Sequence, residues 1–181
     1  MDSKLHSLLS ENKETIARRW LDRVVESYSA DSARFMRQER DRFANPVGQR
    51  LTRGVHALLD VLLLGAPDDE LRKALDTVVR VRAVQELSAS QALGFVFQLK
   101  DVVRELLAKQ LEELAEGARH AELGAFERQV DHLALLAFEV YLGCKEQLYE
   151  LRVGEMKRRT AKLVERMNRI YGDPVAEQDN V

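Results

Sequence analysis

Polar side chains stand at three positions where helical periodicity calls for apolar ones, and these have the strongest claim to chemistry. Leu71, Leu75 and Val78 recur at spacings of four and three, and the next members of that stripe are Arg82 and Gln85. Further along, Lys100 stands inside the apolar run Leu93, Val96, Val103 and Leu107. A polar group in an apolar stripe needs a partner, within the fold or outside it. If the segments flanking Leu87 and Ser88 pack as an antiparallel pair, the two cations and the amide fall within about one or two helical turns of the same level. That combination suits a carboxylate, a phosphate or the acidic side chain of a partner. Arg82, Gln85 and Lys100 are therefore the candidate ligand- or partner-binding residues. The structural alternative is that Lys100 extends its amine to solvent while Arg82 pairs with Glu86 or another acid.

Other chemistry has less support. The histidines His6, His56, His120 and His132 are scattered, with no helical metal-ligand pair and no completing Cys or carboxylate set, so no metal site and no cofactor is expected. His56, beside Leu59 and Leu63, and His132, beside Leu133 and Leu136, read as packing histidines. The alternative is a heme or cofactor binder using one of them, or phosphotransfer on His56. Hydrolase, phosphate-loop, zinc-protease and dinucleotide-binding signatures are absent, so no catalytic residue is assigned and no enzyme is expected. Cys144 is the single cysteine and reads as a small buried hydrophobe.

The elements that must position these residues all read at period 3.6. Ile16, Trp20, Val24 and Tyr28 define a helix from about Ser10, with Ser10 and Lys13 or Glu14 as its start signal. A short helix follows Asp31, with Ala33, Phe35 and Met36 turned inward. In the segment FANPVG, Asn45 is placed to cap and Pro46 to open a helix whose inner face is Val47, Leu51, Val55, Leu58, Leu59 and Leu62. Gly65-Ala66-Pro67 stops it, and Asp68 or Asp69 caps the next helix, which runs to about Glu86. Ser88 and Gln91 form a capping-box pattern opening a helix over about Ala89 to Ala115.

A last pattern starts near Ala121 and reaches Tyr171, before the stop signal Gly172-Asp173-Pro174. Its first half reads as core. Its second half thins to Val153, Met156, Thr160, Leu163, Met167 and Ile170, a two-heptad seam flanked by Lys157, Arg158, Arg159, Lys162 and Arg166. An apolar stripe extending past the core needs a neighbour, so Val153, Met156, Leu163, Met167 and Ile170 are candidate dimerisation residues and a homodimer is expected. Glu155 and Glu165 dilute the basic cluster, which argues against nucleic acid.

Together these readings give an all-α helical bundle of about six to seven helices with a long C-terminal helix. The expected divisions are a helical domain over 1–152, an extension and candidate coiled coil over 153–172, and a flexible tail over 173–181. At 181 residues with net charge −2, the chain can bury one substantial core and exerts no global pull on nucleic acid or anionic membrane. No apolar run reaches the roughly 20 residues of a membrane span. No signal peptide is recognised, and a cytoplasmic protein without membrane insertion is expected.

FANPVG at Phe43 to Gly48 and RVRAVQELSASQALGFVFQLK at Arg80 to Lys100, together with Trp20, resemble the RsbRD N-terminal domain. That family is related to the input domains of RsbR-type co-antagonists in bacterial stress signalling. The residues carrying the resemblance are Trp20, Phe43, Asn45, Pro46, Gly48, Ser90 and Gln91, and it extends over about Leu8 to Tyr149. It implies a globin-like, non-heme helical arrangement and a sensory role that is not enzymatic. Many relatives follow this domain with a STAS domain or a kinase. Neither is found in these residues, so signalling through a protein partner, with or without a small ligand, is the expectation.

Overall fold

The computed structural model describes residues 4–38, 44–85 and 87–172. Helical segments and no strands make up those residues: α1 (Lys4–Glu11), α2 (Lys13–Glu26), α3 (Ala30–Gln38), α4 (Pro46–Leu63), α5 (Asp68–Ala83), α6 (Ala89–Leu93), α7 (Phe95–Leu106), α8 (Ala108–Glu112) and α9 (Glu116–Tyr171). The chain is therefore an all-α bundle with a long C-terminal helix. It divides into two compact units, Met1–Cys144 and Lys145–Val181. Among the described residues no helix is long and apolar enough to cross a membrane.

The first unit holds the core. Ile16, Trp20 and Val24 of α2, Leu51, Val55, Leu58 and Leu59 of α4, Leu75 and Val78 of α5, Val96 and Leu99 of α7, and Val130 and Leu133 of α9 are all fully buried in one cluster. Helical spacing of large apolar residues puts each row on one face, and burial of those rows drives the assembly. Salt bridges tie the rims: Arg23 to Glu105 joins α2 to α7, Arg104 to Glu127 joins α7 to α9, and Arg72 to Glu139 joins α5 to α9.

Several local expectations are corrected. Ser10 lies inside α1, a separate helix ahead of α2 that buries Leu5 and Leu9. Glu122 of α9 accepts the Leu5 amide at 2.7 Å, so the start of α1 is held by a distant carboxylate that local sequence does not reveal. Pro67, rather than Asp68 or Asp69, is the N-cap of α5, and those acids occupy its first turn, where they face the positive end of the helix dipole. The expected helix over Ala89 to Ala115 is divided at Gly94 and Leu107 into α6, α7 and α8. The last helix begins at Glu116, ahead of Ala121. Phe35 and Val47 are exposed, because each sits one step outside the stripe its helix buries.

Stop signals work as read. Gly65 takes φ +64° after α4, with its amide on the Leu62 carbonyl and the Ala66 amide on the Val61 carbonyl. That pair is the Schellman arrangement, which satisfies carbonyls the helix end would strand.

Asn45, Pro46 and Gly48 form one capping device. The Asn45 side chain accepts the Gly48 amide at 2.9 Å and donates to the Met36 carbonyl at 3.0 Å, linking α4 to α3. A Cβ at Gly48 would collide with that carboxamide, so the glycine is required by the space the cap occupies. Gly48→Ala should therefore cost about as much as removing the cap, roughly 1–2 kcal/mol. Urea titrations of Gly48→Ala and Asn45→Ala check this, and the double variant should cost little more than either single one.

In the second unit α9 continues, and Val153, Met156, Leu163, Met167 and Ile170 are all exposed, as are Leu151, Val164 and Tyr171. The segment 173–181, read from sequence as a flexible tail, lies outside the described residues.

Candidate functional site

Arg82 is the largest polar side chain in the core and has no accessible surface. It leaves α5 at the next-to-last residue of that helix and reaches the place where α2 and α6 also end. Its Nε donates to the Ala92 carbonyl at 2.7 Å, and one Nη donates to the Gln91 carbonyl at 2.7 Å and to Ser27 Oγ at 2.9 Å. The other Nη makes a long contact to the Val24 carbonyl at 3.5 Å. The Tyr28 and Phe95 rings lie 5.2 and 5.6 Å from the guanidinium carbon.

No carboxylate touches Arg82 among the described residues. A buried cation without a counter-ion is ordinarily costly. The compensation here is dipolar. The helix breaks at Gly94, so the carbonyls of Gln91 and Ala92 turn to the guanidinium instead of to amides one turn on, and Val24 contributes the end of α2. Helix C-termini carry about half a negative charge each. Arg82 thus sits between two such ends, with two aromatic faces supplying further attraction. Burial pushes its pKa below the ordinary arginine value, with Tyr28 opposing that shift. An arginine remains charged throughout.

Local sequence builds this corner. Ser88 accepts the Gln91 amide while the Gln91 side chain accepts the Ser88 amide, a capping box that starts α6 against the end of α5. Ser90 joins it through a hydroxyl contact to Ser88 at 3.1 Å. Trp20, fully buried, donates Nε1 to the Phe95 carbonyl at 2.7 Å and stacks on the Phe95 ring at 5.9 Å between centroids. Trp20 and Arg82 therefore both meet Phe95, the residue that opens α7 just after that short helix.

The other candidates lie elsewhere. Lys100 donates to Asp131 of α9 at 2.6 Å and sits 5.8 Å from the Phe97 ring centroid. Arg82 is thus engaged with α2 and α6 while Lys100 is engaged with α9, and the two share no partner. Gln85 lines a cleft of about 460 Å³ with Tyr28, Asp31, Phe35, Asn45 and Val47. Phe43, and Glu86, one of the acids offered as an alternative partner of Arg82, fall outside the described residues. His56 lies 3.6 Å from Glu14, His132 lies 2.9 Å from Asp68, His6 donates to the Leu63 carbonyl, and His120 bonds to the Glu116 carbonyl of its own helix. Among the described residues no group of three or more His, Cys, Asp or Glu could hold a metal. Burial raises the Cys144 thiol pKa, with Asp76 adding to and Arg80 opposing the shift.

Sequence reasoning missed Ser27, Tyr28 and Phe95 as partners of Arg82. The capping box one turn after Arg82 was the available signal, because a helix that restarts so soon presents free carbonyls to whatever precedes it.

An all-α bundle with a polar corner and a long exposed terminal helix defines the class of protein. Residues 14–156 match the family model described as the RsbT co-antagonist protein rsbRD N-terminal domain, and the chain belongs to that family. The matched span includes Trp20, the Asn45 cap and the whole Arg82 corner. The family is one of helical input domains in stress signalling. No curated protein and no solved structure matches the chain.

Proposed function

We propose that this chain is a non-enzymatic regulatory domain that acts by protein association through the second half of α9. The observation that carries this reading is the seam in the second unit. Val153, Met156, Leu163, Met167 and Ile170 are 49, 68, 61, 59 and 62% exposed, and with Thr160 they recur at alternating spacings of three and four. Isolated apolar side chains on a surface need no explanation, but an aligned row on one helix marks a place where another helix packs. A second copy, giving the homodimer expected from sequence, and a different protein are the two occupants such a seam admits.

In this reading the Arg82 corner is the part of the first unit whose packing a signal biases. Arg82 itself is enclosed and saturated, so a small ligand would act through the cleft beside it, where Gln85, Asp31 and Ser32 offer polar contacts. The heme alternative is not carried forward, since the His56 and His132 side chains are 34 and 52% exposed and lie at the surface instead of in an enclosed apolar cavity.

Site-specific photocrosslinking in the native cell tests the association. A photoreactive residue at Met156 or Met167 should give a discrete adduct, of this chain with itself or with another protein, while the same residue at Glu165 should not. If neither seam position gives an adduct, or all three give the same diffuse labelling, the reading fails.

A further inference from the structure

We infer that the α9 seam is built to receive a partner helix with acidic flanks, and not a second copy of this chain. The inference rests on the association reading above and names its occupant. In a two-stranded pairing, Val153, Thr160 and Met167 take the a positions and Met156, Leu163 and Ile170 the d positions. The flanking g positions are then Arg152, Arg159 and Arg166, and the e positions are Lys157, Val164 and Tyr171. Every charged residue bordering the seam is positive.

Acids are present in this stretch but turned away. Glu155 falls at c and Glu165 at f, on the outer surface, where Glu165 accepts from Arg169 at 3.1 Å. By contrast Arg152, Lys157, Arg159 and Arg166 make no ion pair among the described residues. Leu151 to Gly172 carries seven cations and two acids in a chain whose net charge is only −2, so the positive charge is local to this helix.

Two copies pair badly. In a parallel pair, Arg152 faces Lys157 of the second copy, and the remaining g arginines face Val164 and Tyr171, with no acid at any crossing. In an antiparallel pair the g rows face each other, arginine against arginine. Flanks of one sign are a device that rejects self-pairing and selects a partner of the opposite sign. A helix with an apolar a/d row and Glu or Asp at e and g answers both the seam and its border.

The test uses the full chain and three fluorescent synthetic helices of about four heptads. The first carries Leu at a and d with Glu at e and g, the second keeps the Leu seam with Lys flanks, and the third keeps the Glu flanks with Ser at a and d. Anisotropy should show the first binding tighter than the others by on the order of tenfold at low salt, with the margin shrinking as salt rises. The triple variant Arg152→Glu, Arg159→Glu, Arg166→Glu keeps helix propensity and should switch preference to the Lys-flanked peptide. The inference is overturned by equal binding of the first two peptides, by equal binding of the first and third, or by tighter binding of a DNA duplex than of the first peptide. It is also overturned if sedimentation shows a dimer that Leu163→Asp dissociates, since the occupant is then a second copy. If Leu163→Asp abolishes the crosslinked adduct while charge reversal leaves it unchanged, association through α9 stands and the acidic partner does not.

Discussion

Replacing Arg82 with methionine should lower the unfolding free energy of the full chain by about 3 kcal/mol, read as a shift of the urea midpoint at unchanged slope. The direction is not obvious, because exchanging buried ions for apolar residues of similar volume is often neutral or stabilising. That outcome requires both sides of the interaction to be removed. Here the acceptors are the peptide carbonyls of Gln91 and Ala92, which no side-chain substitution can delete. Methionine fills most of the space but strands them, and each stranded buried acceptor costs about 1–3 kcal/mol. Arg82→Lys should recover only part of the loss, since an ammonium cannot reproduce the fork that reaches both carbonyls and Ser27. A variant as stable as the parent would show that the carbonyls find water instead, and would remove Arg82 from the account of the corner. Lys100→Met makes the contrast: its partner Asp131 is more than half exposed, so the change should stay within about 1 kcal/mol.

Trp20→Ala should cost about 3–5 kcal/mol, the range for truncating a fully enclosed aromatic side chain. Trp20→Phe separates the two contributions. It keeps most of the packing on Phe95 and loses the bond to the Phe95 carbonyl, and should cost about 1–3 kcal/mol. Far-UV circular dichroism during thermal or urea unfolding is the suitable probe, because Trp20 is the sole tryptophan and its fluorescence disappears with it. Both Trp20 and Arg82 act on the segment that begins α7. The double variant Trp20→Phe with Arg82→Met should therefore be less destabilised than the two single effects combined. Strict additivity would mean that the indole and the guanidinium hold independent parts of the bundle.

The helical class, the stop at Gly65, the cap at Asn45 and the capping box at Ser88 could all be read from residue order, because each is a local effect of a few neighbouring side chains. The position of Arg82 was legible for the same reason, as a break in a periodic stripe. Its partners were not. Backbone carbonyls have no residue identity, and which helix ends meet at Arg82 is decided by packing between segments as distant in sequence as Val24 and Ala92. Lys100 stood out by the same test yet finds Asp131 at the rim, since a long aliphatic stem can cross an apolar edge and leave its amine in reach of solvent. The inward turn expected of Phe35 failed because α3 is too short for its stripe to fix which face is inner, and that of Val47 because it stands in the first turn of α4 beside the buried row that starts at Gly48 and Leu51. Helix α1 escaped notice because Glu122, which holds the Leu5 amide in its first turn, is far along the chain.

The way Arg82 is neutralised also decides how the corner responds to acid. A cation balanced by aspartate or glutamate loses its partner when the carboxylate is protonated, which is how most ion pairs fail at low pH. Arg82 is balanced by peptide carbonyls and a serine hydroxyl, and none of these can take up a proton in that range. The rim links Lys100 to Asp131, Arg104 to Glu127 and Arg72 to Glu139 all depend on carboxylates. Among the described residues the junction of α2, α5 and α6 therefore holds no carboxylate whose protonation could release Arg82. The corner where its most distinctive residues meet is held by groups that acid leaves unchanged.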